Sequence, residues 1–89
     1  MKVRAIKCDK CGDTIYSRAL HDFRSCTCGR IFIDGGFDYT RIGWEGEMEE
    51  PPRVFELTLN NITRIDLYED WSSGKNCFGL LKGDANAQD

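Results

Sequence analysis

Four cysteines carry the strongest chemical signal in this chain. Cys8-Asp9-Lys10-Cys11-Gly12 is a C-x-x-C pair closed by a glycine. After thirteen further residues, Cys26-Thr27-Cys28-Gly29 supplies a C-x-C pair closed in the same way. Thiolates at such spacings converge on a single metal ion. Zn²⁺ suits an all-sulfur tetrahedral set and needs no redox management, with a mononuclear Cys₄ iron site as the isosteric alternative. Cys8, Cys11, Cys26 and Cys28 are therefore the expected ligands. Four protein ligands leave no position for water, so the metal is read as structural and its binding energy as folding energy. A disulfide framework is disfavoured by the odd count of five cysteines and by the reducing compartment argued below.

The spacing dictates local backbone shape. Two thiolates on one Zn²⁺ lie about 3.8 Å apart, given Zn–S bonds near 2.3 Å. A C-x-x-C turn reaches this by wrapping its amides around the first sulfur, and the residue after it tends to positive φ, which Gly12 tolerates. In a straight strand, the sulfurs of i and i+2 would sit about 6–7 Å apart. The chain must therefore turn sharply at Thr27–Gly29. Should Cys26 and Cys28 fail to reach the metal together, His21 is the substitute ligand; its simpler reading is a histidine in a turn. Cys77 has no partner in sequence and reads as a small buried hydrophobe rather than a reactive thiol.

Other residues invite a binding reading. Tyr16, Arg18, Phe23, Phe37, Tyr39 and Arg41 interleave aromatic and basic side chains, a pattern used for stacking nucleic-acid bases; in so short a chain most of these rings are expected to build core instead. Arg18, Arg41, Tyr39, Trp44 and Trp71 are the candidate binding residues. Lys7, Lys10, Arg24 and Arg30 flank the cysteine pairs and are read as compensation for the site's charge rather than as a phosphate patch. Asp34, Asp38 and Arg41 surround Gly35-Gly36 without a histidine or nucleophile beside them, so turn chemistry is expected and no catalytic residue is assigned.

The elements that must hold these residues are short. Val3–Lys7 alternates apolar and basic, as a strand does. Asp13–Ala19 and His21–Ser25 read as two strands joined by a tight turn near Leu20. Arg30–Asp34 and Phe37–Ile42 flank Gly35-Gly36, a hairpin signal, because a type I′ turn needs positive φ at both central residues. Pro51-Pro52 and four glutamates mark residues 44–53 as a solvated connector. Val54–Leu59 alternates again, with Phe55, Leu57 and Leu59 on one face. Ile62–Trp71 fits either a strand or a helix capped by Asn60 or Asn61 and loosely aligning Ile62, Ile65, Tyr68 and Trp71. Residues 77–81 are expected to pack back on the core. The resulting expectation is a small metal-bound, β-rich α+β fold. A zinc ribbon of short antiparallel strands (1–43) is followed by an acidic connector (44–53), a strand and short helix packing on the ribbon (54–81), and a frayed tail (82–89), within a single domain.

Size and charge bound the function. An 89-residue chain buries only about 60–65% of the surface its unfolded form exposes, so a metal or a partner is a natural source of extra stability. No apolar run approaches the ~20 residues of a membrane span, and the N-terminal stretch lacks the apolar region of a secretory signal. A cytoplasmic location is expected. Residues 1–42 hold eight Lys/Arg against five Asp/Glu, and residues 43–89 hold four against ten, giving +3 and −6. Four thiolates around Zn²⁺ would take the total from −3 to −5. General nucleic-acid binding is disfavoured by that balance, because it depends on neutralising phosphates.

Residues 8–42 also resemble a family of small uncharacterised zinc-ribbon proteins of bacteria and their phages. The likeness rests on Lys7-Cys8-Asp9-Lys10-Cys11-Gly12-Asp13-Thr14-Ile15, on His21-Asp22-Phe23-Arg24-Ser25-Cys26-Thr27-Cys28-Gly29, and on Ile33-Asp34-Gly35-Gly36-Phe37-Asp38-Tyr39-Thr40-Arg41. The family's function is unassigned, so the resemblance implies fold and metal. It implies further that His-Asp-Phe-Arg and Asp-Gly-Gly-x-Asp-Tyr share a face, and that the late element ending in a tryptophan is a helix. The functional expectation is a non-enzymatic zinc-ribbon module acting through protein–protein interaction, as a modulator or inhibitor of a host protein if phage-encoded. A nucleic-acid-binding ribbon using the basic half is the alternative.

Overall fold

Alternation in Lys2–Lys7 puts Val3 and Ala5 on one face of the first strand and Ile6 on the other, and both faces are buried. A strand covered on both sides sets the architecture. The computed structural model describes residues 1–47 and 50–82; the acidic stretch at Met48 and Glu49 and the tail from residue 83 lie outside it. In chain order the elements are β1 (Lys2–Lys7), β2 (Thr14–Tyr16), β3 (Arg24–Ser25), β4 (Ile31–Asp34), β5 (Arg41–Trp44), β6 (Phe55–Thr58), α1 (Arg64–Ser73) and β7 (Leu80–Leu81). They form two antiparallel sheets, β6-β1-β2-β7 and β3-β4-β5.

Two small cores lie on opposite faces of β1 and β2. The register pairs Ile6 with Ile15, and these pack with Cys8, Cys26, Ile31 and Ile33 against the three-stranded sheet. The register also pairs Ala5 with Tyr16, and these pack with Val3, Leu59 and Leu67 beneath α1. Burial of a side chain of this kind contributes about 1.5–3 kcal/mol, so two half-sized cores leave room for a further source of stability. Residues from the second half complete the first sheet. β6 sets Leu57 opposite Val3, and β7 sets Leu80 opposite Ile15.

Several sequence expectations need correction. The segments 13–19 and 21–25 do not pair with each other. A turn at Ala19–Asp22 sends β2 into one sheet and β3 into the other. Gly35-Gly36 is not a two-residue hairpin turn, because Asp34 pairs with Arg41 and leaves a six-residue loop, 35–40. Both glycines do have positive φ. The second is needed for a further reason: a Cβ on Gly36 would overlap the Ala19 backbone. Close approach of two loops, rather than a tight hairpin, selects glycine there.

Ile62–Trp71 resolves as a helix, starting later than the asparagines. Thr63 caps it: Asp66 N donates to Thr63 Oγ1 at 3.2 Å and Thr63 N donates to Asp66 Oδ2 at 2.9 Å, a reciprocal capping box. Gly74, with φ of 74°, closes its C-terminus. The inward residues are Leu67 and Asp70; of the alignment anticipated from sequence, Ile65 and Tyr68 are exposed, Trp71 is half-buried, and Ile62, just before the helix, packs against the second core. Cys77 is exposed rather than buried. No helix among the described residues is long and apolar enough to cross a membrane.

Candidate metal centre and neighbouring surfaces

The two cysteine turns meet at the end of β1. The Sγ atoms of Cys8, Cys11, Cys26 and Cys28 all lie within 4.8 Å of one another, with Cys8–Cys28 at 3.6 Å and Cys26–Cys28 at 3.5 Å. None of them is in a disulfide. These separations bracket the ~3.8 Å expected between sulfurs sharing one tetrahedral ion, so the donor set fits a single metal. His21 is not part of this cluster and stands exposed in the 19–22 turn.

Local backbone produces the convergence. Lys10 N and Cys11 N point at Cys8 Sγ from 3.4 and 3.5 Å, and Gly12 N donates to Cys8 O at 3.0 Å with φ of 81° at the glycine. In the second turn Gly29 N donates to Cys26 O at 3.0 Å, and this tight turn brings the i and i+2 sulfurs together. Asp13 braces one turn against the other. Its carbonyl accepts from Cys8 N at 2.8 Å, and its Oδ2 accepts from both the amide (2.9 Å) and the hydroxyl of Thr27. Lys82 Nζ donates to the same hydroxyl oxygen at 2.7 Å. Burial acts to raise the Asp13 pKa, but the Thr27 hydrogen bonds and the Lys82 charge outweigh it and hold the carboxyl below its ordinary value. Nothing in sequence singled out Asp13 except its place directly after Gly12.

The thiols differ in their hold on protons. Burial pushes Cys8 up to about 12. Burial acts in the same direction on Cys26, but hydrogen bonding from the Ile31 backbone and from the neighbouring thiols brings it down to about 7. An ion bound by all four sulfurs would require each thiol to give up its proton. Of the cations near the turns, Arg30 Nε lies 3.3 Å from Asp9 Oδ1, an ion pair without hydrogen-bond alignment. Arg24 instead shares the surroundings of Arg18, Asp22 and Asp70, and burial together with the Arg18 charge pushes it down.

The candidate binding residues do not form one surface. Arg18 is buried, contrary to its reading as a contact for nucleic acid. Its Nε and Nη2 donate to Asp22 at 2.7 and 3.1 Å, and its Nη1 donates to Asp70 at 2.5 Å. Asp70 also accepts the amides of Cys77 and Phe78 at 2.8 and 3.0 Å. Tyr16 is buried too. Tyr39 and Arg41 are exposed, with the guanidinium 5.9 Å from the ring centroid and 2.6 Å from Asp34, whose other oxygen accepts Gly35 N. The outer face of the second sheet carries exposed Phe23 stacked on Phe32 at 5.1 Å, beside side-chain-free Gly43. Trp44 ends β5 and is exposed, whereas Trp71 is half-buried on α1, edge-to-face with Tyr68 at 5.7 Å.

A groove of about 650 Å³ opens between α1 and the 19–21 turn, lined by Leu20, Phe37, Ile65, Tyr68 and Trp71. His21 and Asp38 border it, so parts of the two motifs expected to share a face do meet there. Sequence reasoning missed the groove because its walls come from three separated segments.

Residues 1–44 match the model of a family described as a Domain of unknown function (DUF7695). The match holds all four clustered cysteines and ends at the last residue of β5. No curated protein and no solved structure matches the chain. The similarity thus concerns the half that holds the cysteine cluster and leaves β6, α1 and β7 outside it.

Proposed function

We propose that this protein is a non-enzymatic binding module, stapled by a structural Zn²⁺, that acts by docking on another protein. The observation that carries the reading is the convergence of the four sulfurs within 4.8 Å. A site filled by four protein thiolates has no coordination position for substrate, so the ion serves the fold. All-thiolate donors favour zinc among the common divalent ions. Large apolar side chains left at the surface, Ile65 and Tyr68 among them, support a docking role. The acidic balance supports a protein partner over a phosphate backbone.

The test is chemical cross-linking of the tagged, zinc-loaded chain in the cells that make it, followed by mass spectrometry. A stoichiometric protein partner, lost when Cys26→Ser abolishes metal binding, is the expected result. Absence of any stoichiometric partner overturns the docking reading.

A second reading is favoured by one specific feature, the Phe23–Phe32 ring pair, whose Phe32 shares a face of the second sheet with Arg41, itself set over Tyr39. Such a face would stack bases of a single strand. It predicts that a labelled single-stranded oligonucleotide binds at low salt and is released by Phe23→Ala. No anisotropy change at low salt removes this alternative.

A further inference from the structure

We infer that the groove between α1 and the 19–21 turn receives a basic peptide segment of the partner protein, one that inserts an apolar side chain and sets Lys or Arg against the rim. This rests on the docking reading and names the chemistry of what docks.

The placement of apolar residues comes first. Leu20, Ile65 and Tyr68 are three of the eight exposed large hydrophobics among the described residues, and all three line this groove. Ile65 is 69% exposed, more than any other of the eight. A helix packing on a core ordinarily turns such residues inward. Here α1 turns Leu67 and Asp70 inward and gives Ile65 and Tyr68 to the groove. A contiguous apolar concavity of this kind, as opposed to scattered single residues, marks an interaction site.

The walls are held in place before anything binds. Phe37 lies under the Arg64 guanidinium at 4.4 Å, and Tyr68 is set against Trp71 at 5.7 Å. Beneath them Arg18, Asp22 and Asp70 lock the 18–22 segment to α1. Rigid aromatic walls lose little entropy on binding and are the usual anchors of tight contacts. The volume of about 650 Å³ suits a few side chains of a peptide.

Charge selects the occupant. The rim carries the carboxylates of Asp38 and Glu69, and among the described residues neither has an ion-pair or hydrogen-bond partner. Of the basic residues bordering the groove, Arg18 is buried between two aspartates and Arg64 is seated on Phe37. The two available carboxylates, one from each half of the chain, complement a cationic segment and disfavour an acidic peptide or a phosphate.

The experiment selects a displayed random dodecapeptide library on the zinc-loaded full chain and measures the enriched peptides by fluorescence anisotropy. Expected binders pair an aromatic or branched aliphatic residue with nearby Lys or Arg. Ile65→Glu and Tyr68→Ala should each weaken them about tenfold or more, a change equivalent to about 1.4 kcal/mol. The double variant Asp38→Asn/Glu69→Gln should weaken them several-fold at low salt, and Phe23→Ala should leave them unchanged. Circular dichroism and metal content confirm that Ile65→Glu, at an exposed position, remains folded. Failure to enrich any peptide over the Ile65→Glu protein overturns the inference, as do acidic binders or binders indifferent to Ile65→Glu. Self-association abolished by Ile65→Glu would assign the groove to a second copy and overturn it equally. A cross-linked partner that still binds the Ile65→Glu protein undiminished sinks the groove and leaves the docking reading standing; absence of any partner sinks the docking reading itself.

Discussion

Arg18 Nη1 lies 2.5 Å from Asp70 Oδ2, with both side chains 3% exposed, and the contact joins the turn after β2 to α1 across fifty-two residues of sequence. Asp70 is the hub. It holds Arg18 with one oxygen and, through both, the amides that lead into β7. A buried carboxylate with this many donors is satisfied. Its removal leaves a guanidinium and two amides short of partners.

Asp70→Ala should therefore destabilise the zinc-loaded protein by about 3–5 kcal/mol, the range for stripping one partner from a buried ion pair. Against a total of roughly 5–15 kcal/mol for a domain, that is a large fraction. Urea unfolding followed by far-UV dichroism measures it. A loss below about 1 kcal/mol would mean that the contact contributes little.

The same carboxylate gives a pH dependence of definite sign. Burial acts to raise its pKa, but the Cys77 and Phe78 amides and Arg18 outweigh that and hold it below the ordinary 3.8. A depressed folded pKa contributes stability that is whole above the unfolded value and fades as pH falls through the folded one. Stability should accordingly drop on acidification below about pH 4. Asp70→Asn, which cannot titrate, should show a shallower acid limb between pH 4 and 2 at fixed zinc. Superimposable slopes for the two proteins would contradict this.

Metal removal should be costly and specific. One zinc per chain is expected by elemental analysis. Cys8→Ser or Cys26→Ser should abolish it, and Cys77→Ser should leave it intact, since Cys77 lies outside the cluster. Excess EDTA should collapse near-UV dichroism and proton-release measurements should register thiol ionisation on reloading. Near-UV dichroism unchanged in EDTA would show that the sulfurs do not staple the fold.

Gly36→Ala tests the approach of two loops. A side chain there faces a positive φ of 58° and the Ala19 backbone. The left-handed conformation alone costs a non-glycine residue roughly 1–2 kcal/mol, and the overlap adds to it. A fall in stability of more than ~2 kcal/mol is expected by thermal or urea melts. Gly46→Ala, with nothing within 4 Å of the added carbon, should cost less.

Much of the candidate metal site was legible in the one-dimensional chain, because cysteine spacing and the glycine after each pair are local properties. Cys8–Gly12 and Cys26–Gly29 each fold by bonds within five residues, so residue type and spacing suffice to bring each pair of sulfurs together. The helix at Arg64–Ser73 was less legible: its Thr63–Asp66 capping box and Gly74 stop lie in its own sequence, but its β-branched residues fitted a strand as well, and the neighbouring asparagines competed as caps. Only tertiary structure decided which side of that helix faces inward. Asp70 is buried because Arg18, from a distant segment, meets it, and no periodicity of apolar residues can announce a polar residue paired across the fold. The partition of β2 and β3 into separate sheets, and the groove that leaves Ile65 and Tyr68 open, were settled in the same way: strand partners and facing walls come from residues far apart in the chain, whose preferences local sequence does not encode.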